Sequence, residues 1–159
     1  MSHADLLLLP RIAVGFVLAY IFGFERELRG SAAGDRTFAL VGASAAAITS
    51  VAARTSPQAI AGVVTGIGFI GAGVMFRGDS GLIRGITTAA TIFASAAIGI
   101  VVGYGHILLG TLTAAGLLLT LELQHIPFLR WFDASNYRDR FQLDRDAIRG
   151  EGSGPREGS

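Results

Sequence analysis

PQAIAGVVTGIGFIGAGVMF, residues 57–76, is a run of twenty residues without a charged side chain. At about 1.5 Å per residue, a helix of this length covers about 30 Å, which matches the hydrocarbon core of a bilayer. Residues 57–76 are therefore predicted to form a membrane-spanning helix. The rest of the chain agrees, because 51% of its 159 residues are apolar and the mean hydropathy is +0.54, more than a water-soluble surface carries.

The charged residues are distributed unevenly along the chain. Eight lie in residues 1–36, only five in residues 37–123, and twelve in residues 124–159. The five in the middle segment stand between apolar runs or at their ends, so the gaps are interpreted as loops. The pattern predicts five transmembrane helices, over residues 6–24, 38–53, 57–76, 86–102 and 107–123. The second of these consists largely of small residues and is expected to depend on packing against its neighbours.

Overall charge and cysteine content exclude several classes of protein. Thirteen basic residues, all arginine, and twelve acidic residues leave a net charge of +1, which supplies no positive field for nucleic acid. Without cysteine the chain forms no disulfide, thiolate nucleophile or sulfur-ligated metal site. No nucleophile, base and orienting group recur at useful spacing, and the three histidines share no metal-ligand spacing. The chain is therefore predicted not to be an enzyme.

Arginine positions predict how the helices are oriented, because cationic loops are retained in the cytoplasm. The first loop carries Arg26, Arg29 and Arg36, the second only Arg54, and the third Arg77 and Arg84. Six further arginines follow residue 129. This alternation predicts an all-α integral membrane protein, a bundle of five transmembrane helices with the N-terminus outside and the C-terminus cytoplasmic.

Two domains are predicted, a transmembrane domain over residues 1–132 and a polar, disordered cytoplasmic tail over residues 133–159. A cleaved signal peptide is the competing interpretation of the first apolar run. That run has no basic segment before Leu6, and Phe24 leads into Glu25-Arg26-Glu27 instead of a small-residue cleavage site. A membrane span is therefore the favoured interpretation.

Residues 66–71, GIGFIG, match the dinucleotide-binding pattern G-x-G-x-x-G. That function is rejected, because the pattern requires a preceding strand and an acidic residue about twenty positions later. In a membrane, glycines instead let helices approach closely or let a helix break beside a polar site. Both uses are open for residues 66–73, and Gly62 with Gly66 and Gly99 with Gly103 have the spacing that places two small residues on one helix face.

A dense charge cluster, Glu25-Arg26-Glu27 with Arg29, follows the first apolar run. An ordinary pair of Glu25 with Arg29, four residues apart, is one interpretation. The other is a network that latches the third and fourth helices to the first, with Glu25 and Glu27 meeting arginines of both cytoplasmic loops, namely Arg36, Arg77 and Arg84. The acidic residues considered as weak Mg²⁺ ligands are Glu25, Glu27, Asp35 and Asp79. No metal site is assigned.

Several blocks of the sequence together resemble the MgtC/SapB membrane protein family. The resemblance covers roughly residues 10–130 and rests on the order and spacing of the blocks ERE at 25–27, RG at 29–30, AG at 33–34, RT at 36–37, GIGFIGAG at 66–73 and RGITTAA at 84–90. Two departures are Asp35, where an apolar residue is usual, and Phe93, where tryptophan is common. Longer members carry a folded cytoplasmic domain after the fifth helix, and its regulation is expected to be absent here.

The resemblance implies a multi-pass bacterial inner-membrane protein associated with adaptation to low magnesium and, in pathogens, with survival inside host cells. The motif residues then mark a functional surface without catalytic roles: Glu25, Arg26, Glu27, Arg29, Arg36, Thr37, Gly66, Gly68, Gly71, Gly73, Arg77, Arg84, Gly85, Thr87 and Thr88.

Two functions are compatible with these features. One is a non-enzymatic modulator of other membrane machinery, with a membrane-protein partner or a second copy of the chain beside it in the bilayer. The alternative is a transporter of magnesium or another small solute, built around a glycine-broken third helix. No cofactor is expected, apart from Mg²⁺ as a ligand or transported ion, and no nucleic acid partner.

Overall fold

A computed structural model describes residues 3–77 and 83–122 of the chain. These residues form five helices and a short hairpin: α1 (His3–Leu28), α2 (Asp35–Ala52), α3 (Pro57–Val74), β1 (Phe76–Arg77), β2 (Ile83–Arg84), α4 (Ile86–Gly103) and α5 (Ile107–Glu122). The chain divides into two compact units, Met1–Leu118 and Leu119–Ser159, and of the second only the end of α5 is described. The predicted polar tail, residues 133–159, lies outside the described residues.

The helical class predicted from the apolar runs is confirmed. Three of the helices are long and apolar enough to cross a membrane: Leu6–Leu28, Pro57–Val74 and Ile86–Gly103. The helix α5 is apolar but shorter, and α2 carries Asp35 and Arg36 in its first turn. The number of five membrane spans, and the side of the membrane on which each terminus lies, therefore remain predictions.

Several helix boundaries differ from those predicted; α2, for example, begins at Asp35 instead of residue 38, and α3 ends at Val74 instead of residue 76. The helix α1 continues past Phe24 to Leu28, because Glu25 and Arg29, one turn apart, form an ion pair along the helix surface. The helix α3 is continuous from Pro57 to Val74. The hypothesis of a glycine-broken third helix is therefore wrong, because the helix continues without a break through all of its glycines.

The small-residue helix α2 packs against both α1 and α4, as expected for a helix that depends on its neighbours. A Cβ atom added at Gly15 of α1 would lie 2.7 Å from the Cβ of Ala46, and one added at Gly103 of α4 would lie 2.7 Å from the Ala46 carbonyl oxygen. Gly99 is also in direct contact with the Gly42 carbonyl group. At these points the helix backbones can meet only because glycine carries a hydrogen atom where other residues carry a side chain.

One buried hydroxyl group in this core bonds to the backbone of a neighbouring helix. Ser95 of α4 is fully buried and donates its hydroxyl to the Phe38 carbonyl oxygen of α2, at 3.1 Å. Phe38 in turn packs against Phe22 of α1, with ring centroids 6.0 Å apart. A buried hydroxyl with a partner adds a directional bond to the van der Waals packing of the three helices.

The helices α1 and α2 are antiparallel, because Gly23 faces Phe38 while Gly15 faces Ala46. The first unit therefore has two ends. We call the end that holds the α1–α2 loop and the start of α4 the Glu25 end. The opposite end, where α1 begins and α2 and α4 finish, is the Arg11 end, since Arg11 donates a hydrogen bond to the Gly103 carbonyl oxygen there, at 3.2 Å.

A two-stranded antiparallel hairpin connects α3 to α4, pairing Phe76 with Arg84 and Arg77 with Ile83. The apolar pattern does not predict this hairpin, since residue 76 was assigned to the third helix. Gly85 follows the hairpin with φ = 85°, and a Cβ atom there would lie 2.5 Å from the Val74 carbonyl oxygen. Both the left-handed backbone and the close approach require glycine at the start of α4.

Candidate functional site

The charge cluster lies at the Glu25 end, in the last turn of α1. Glu25 pairs with Arg29, as one of the two interpretations predicts. The second carboxylate oxygen of Glu25 (Oε2) and the Arg26 Nε atom are buried, and neither has a hydrogen-bond partner among the described residues. Buried polar groups of this kind cost free energy unless a further group satisfies them.

Glu27 holds the beginning of α2. Its Oε2 atom accepts a hydrogen bond from the Asp35 backbone N–H at 2.9 Å, so a carboxylate satisfies an N–H group at the positive end of that helix. Asp35 itself accepts from the Arg36 N–H, and Thr37 donates its N–H to the Gly34 carbonyl oxygen at 3.0 Å. The motif residues of this loop thus fix how α2 starts.

The predicted network between Glu25, Glu27 and the loop arginines does not form within the described residues. Arg36 and Arg84 are exposed and form no ion pair with either glutamate there. Arg77 belongs to β1, and its side chain lies outside the described part. Instead, a neutral hydrogen bond links the loop to α4, between the Ser31 and Thr88 hydroxyl groups at 3.0 Å. Thr88 is buried, whereas Thr87 is exposed.

The acidic residues considered as Mg²⁺ ligands do not assemble into a metal site where they can be described. No group of three or more Asp, Glu, His or Cys side chains that could hold a metal ion occurs in residues 3–77 and 83–122. Glu27 and Asp35 are engaged with backbone N–H groups of the loop. Asp79 lies outside the described residues.

The helix α3 presents an open glycine face. A Cβ atom added at Gly62, Gly66 or Gly73 would meet nothing within 4 Å in the part of the chain that the structure describes, and helical periodicity places these three glycines with Phe69 on one side of the helix. The Phe69 side chain is 83% exposed. These four residues are called the α3 open face below.

Close packing within the chain does not explain most of the glycines in residues 66–73. Gly68 is also open, and only Gly71 lies against a neighbour, with an added Cβ 3.6 Å from that of Ala89 on α4. The interpretation of tight packing is correct for Gly99 and Gly103 but wrong for Gly62 and Gly66 among the described residues. No described residue of the chain covers the α3 open face.

A mostly apolar groove of about 350 Å³ runs along one edge of the α3 open face, between α2 and α3. Gly66 and Ile70 line it from α3, and Leu40, Ser44 and Ile48 line it from α2. Leu40 is 65% exposed. An apolar groove next to small residues has a shape into which a further helix can pack.

Several residues that position the site were not singled out from the sequence. They are Gly15, Gly23, Gly42, Ser31 and Ser95. The four-residue spacings of Gly15, Ala19 and Gly23 on α1 and of Thr91, Ser95, Gly99 and Gly103 on α4 are signals that could have found the packed faces. Nothing in the sequence pairs Ser31 with Thr88, because the two residues are 57 positions apart.

Comparison with known proteins gives a consistent result. The model of the MgtC family matches residues 12–126. An uncharacterized protein of Haemophilus influenzae is 32% identical over 153 residues, covering 87% of this chain and 64% of that protein. Protein MgtC of Brucella abortus is 42% identical over 101 residues, which cover 60% and 42% of the two chains.

A third relative is the Escherichia coli K12 protein named "Putative magnesium transporter YhiD", 40% identical over 133 residues, covering 75% of this chain and 59% of that protein. The chain thus spans between 42% and 64% of the length of these relatives. No solved structure matches it. With a family model that covers most of the chain and helices apolar enough to span a bilayer, this chain is a membrane protein and belongs to the MgtC family.

Proposed function

We propose that the chain is a non-enzymatic modulator of membrane machinery, which takes part in adaptation to low magnesium as membership of the MgtC family implies. It acts by binding a transmembrane helix of another membrane protein along the α3 open face. The single observation that carries this proposal is that a Cβ atom added at Gly62, Gly66 or Gly73 would meet no atom of the described residues within 4 Å. Elsewhere in the bundle, the glycines of α1, α2 and α4 are covered by adjacent helices.

The energetics of membrane helices favour a protein partner over lipid at this face. Glycine exposes backbone and lets a second helix approach closely, so that van der Waals contacts extend over a large area. The adjoining groove, with Ser44 on its α2 side, supplies a hydroxyl group and an apolar wall to the same partner. The exposed Phe69 side chain would fit between side chains of the partner helix.

The packing of the bundle argues against a conduit through the described part of this chain. Helix α2 touches both α1 and α4 at backbone level, through Gly15, Gly42 and Gly99. Helices in such contact leave no room for an ion that keeps any of its hydration shell. Within the first unit, the acidic side chains that are described, Glu25, Glu27 and Asp35, lie at one end and do not follow the bundle axis.

The second candidate function is transport of magnesium or another small solute. The observation that favours it is the name of the Escherichia coli relative, which mentions magnesium transport. Mg²⁺ would then be the transported ion. The path of the ion would run along an interface between two chains, because the α3 open face is available for such an interface. The flux measurement that ends the Discussion separates the two candidates.

We further propose the bacterial inner membrane as the location, with the Glu25 end in the cytoplasm and the Arg11 end outside. Arginine content supports this direction, since Arg26, Arg29, Arg36 and Arg84 lie at or near the Glu25 end and cationic loops are retained inside.

Gly66→Leu tests the modulator directly. The substitution places a side chain on the α3 open face, where the added Cβ meets no described atom within 4 Å, so the protein should insert and fold normally while its partner is excluded. A photoreactive amino acid at Phe69, in cells grown in low magnesium, should give one discrete adduct with an identified membrane protein. Gly66→Leu should abolish that adduct and the growth that the chain supports.

Ala72→Leu is the matched control, because Ala72 is exposed on the same helix but lies off the glycine face. It should retain both the adduct and growth. Equal behaviour of Gly66→Leu and Ala72→Leu would contradict the proposal. An adduct whose mass is twice that of the chain would also contradict it, and would identify the α3 open face as a contact between two copies.

A further inference from the structure

A second cavity lies at the Arg11 end, away from the α3 open face. Its volume is about 430 Å³, and residues from α1, α2, the segment after α2 and the end of α4 line it. The polar lining includes Arg11, Ser50, Arg54 and Tyr104, and Leu7 and Leu8 form part of an apolar wall. Among the side chains that the structure describes, two arginines and no acidic residue line this cavity.

Arg11 is half-buried and only partly engaged. Its guanidinium donates to the Gly103 carbonyl oxygen at 3.2 Å, and the Ser50 hydroxyl donates to the same oxygen, also at 3.2 Å. A guanidinium carries five N–H donors, and within the described residues Arg11 has no other hydrogen bond or ion pair. The remaining donors are available for a group that enters the cavity.

The charge of the cavity is not balanced by its own lining. The last carbonyl groups of α4 supply a partial negative charge of about 0.5 elementary charge, which offsets only part of Arg11. Arg54, exposed on the segment after α2, adds a second full positive charge. Two cations that share a cavity without a carboxylate favour an anion between them.

We propose that this cavity binds a phosphate group. Guanidinium groups bind phosphate through paired N–H···O bonds, and the cavity volume lies in the range of ordinary ligand sites. Arg11 is five residues from Leu6, where the candidate span begins, so it lies about 7.5 Å along the helix from that point. This is a depth at which a lipid headgroup phosphate can be reached by a long side chain.

Two sources share this chemistry, an anionic lipid headgroup and free inorganic phosphate. Leu7, Leu8 and Val51 in the wall of the cavity could contact the glycerol and upper acyl carbons of a lipid. Phosphate binding at the Arg11 end is independent of partner binding at the α3 open face, so either proposal can fail alone.

Arg54→Gln is the decisive variant, because Arg54 forms no hydrogen bond or ion pair within the described residues and its loss leaves the Arg11–Gly103 bond in place. Binding of phosphatidylglycerol to the full chain, purified in a neutral detergent, would be titrated by native mass spectrometry, with phosphatidylcholine as reference lipid. We expect Arg54→Gln to weaken phosphatidylglycerol binding about tenfold, as the loss of one charge-assisted bond predicts.

Arg84→Gln is the matched control, since it removes the same charge from an exposed position at the Glu25 end. It should leave binding within about twofold of wild type, as expected for a surface charge beyond the screening length of about 8 to 10 Å. Arg11→Lys, which keeps the charge and loses the planar fork, should also weaken binding.

The outcomes separate the sources and the alternative. If inorganic phosphate at millimolar concentration displaces the lipid, the site takes the free ion as well; if it does not, the site is specific for the lipid headgroup. Equal losses in Arg54→Gln and Arg84→Gln would overturn the proposal in favour of general charge attraction. Undetectable binding by the wild-type chain would overturn it too, and leave Arg11 as a cap of α4 only.

Discussion

At the scale of single residues, glycine has two opposite uses in this chain. Gly42 and Gly99 permit contact between helix backbones inside the bundle, whereas Gly66 and Gly68 face open space. The same residue type therefore stabilises the fold in one helix and leaves a surface free in another. Only the neighbours of each glycine distinguish these roles.

Gly99→Ala tests the packing role. The new methyl group would collide with the Gly42 carbonyl group, and the Cβ of Ala45 would lie at 2.9 Å, so α2 and α4 must move apart. We expect a loss of about 1 to 3 kcal/mol in the free energy of unfolding, the usual cost of overpacking. Titration of the purified protein with sodium dodecyl sulfate in mixed micelles, followed by circular dichroism, measures it.

Gly68→Ala is the comparison for that measurement, because an added Cβ meets nothing within 4 Å. It should be neutral or slightly stabilising, by up to about 1 kcal/mol, since alanine favours the helix more than glycine does. Equal destabilisation by both substitutions would refute the distinction between covered and open glycines.

At the scale of secondary-structure elements, sequence patterns predicted where the helices lie more accurately than they predicted which elements touch. Uncharged runs predict helices because a membrane leaves backbone groups no other partner, and the five described helices agree with that prediction. The hairpin between α3 and α4 was missed, since strands of two residues have no detectable alternation. The sequence GDSG at 78–81 consists of residue types common in turns, and this composition was the available signal.

The candidate site was predicted less completely, for a physical reason. The Glu25–Arg29 pair is local, and four-residue spacing on a helix reveals it. The alternative interpretation, an arginine network, depended on how the loops meet, and in the described residues the α1–α2 loop contacts α4 through Ser31 and Thr88. A sequence does not give the distance between charged residues that lie far apart along the chain. Residue type alone therefore could not decide between an arginine network and the Ser31–Thr88 hydrogen bond.

A double-mutant cycle with Ser31→Ala and Thr88→Val measures the link between the α1–α2 loop and α4. The cycle should give a coupling of about 0.6 kcal/mol, the average for side-chain hydrogen bonds between membrane helices. Detergent titration of the four proteins provides the values. Thr87 is the control position, because it is exposed; Ser31→Ala with Thr87→Val should show additive effects, and equal coupling in both cycles would contradict the assigned bond.

At the scale of the whole molecule, the first unit combines a packed core with two differently exposed regions. The contacts of α1, α2 and α4 are made at backbone level, while α3 keeps one face open and the Arg11 end holds a positively charged cavity. A rigid bundle with an open helix face fits a protein that binds another protein. A transporter requires in addition a path that changes its access from one side to the other.

Magnesium flux into sealed proteoliposomes that contain the purified chain, with and without a membrane potential, is the measurement that separates these two functions. The chain has no cysteine, so labelling of Thr55→Cys and Ala32→Cys with an impermeant reagent reports how each preparation is oriented. We predict no flux above that of empty liposomes at either potential. Potential-dependent Mg²⁺ flux by correctly oriented protein, lost on substitution of Arg26 by Ala and Glu27 by Gln, would contradict the modulator and establish a transporter.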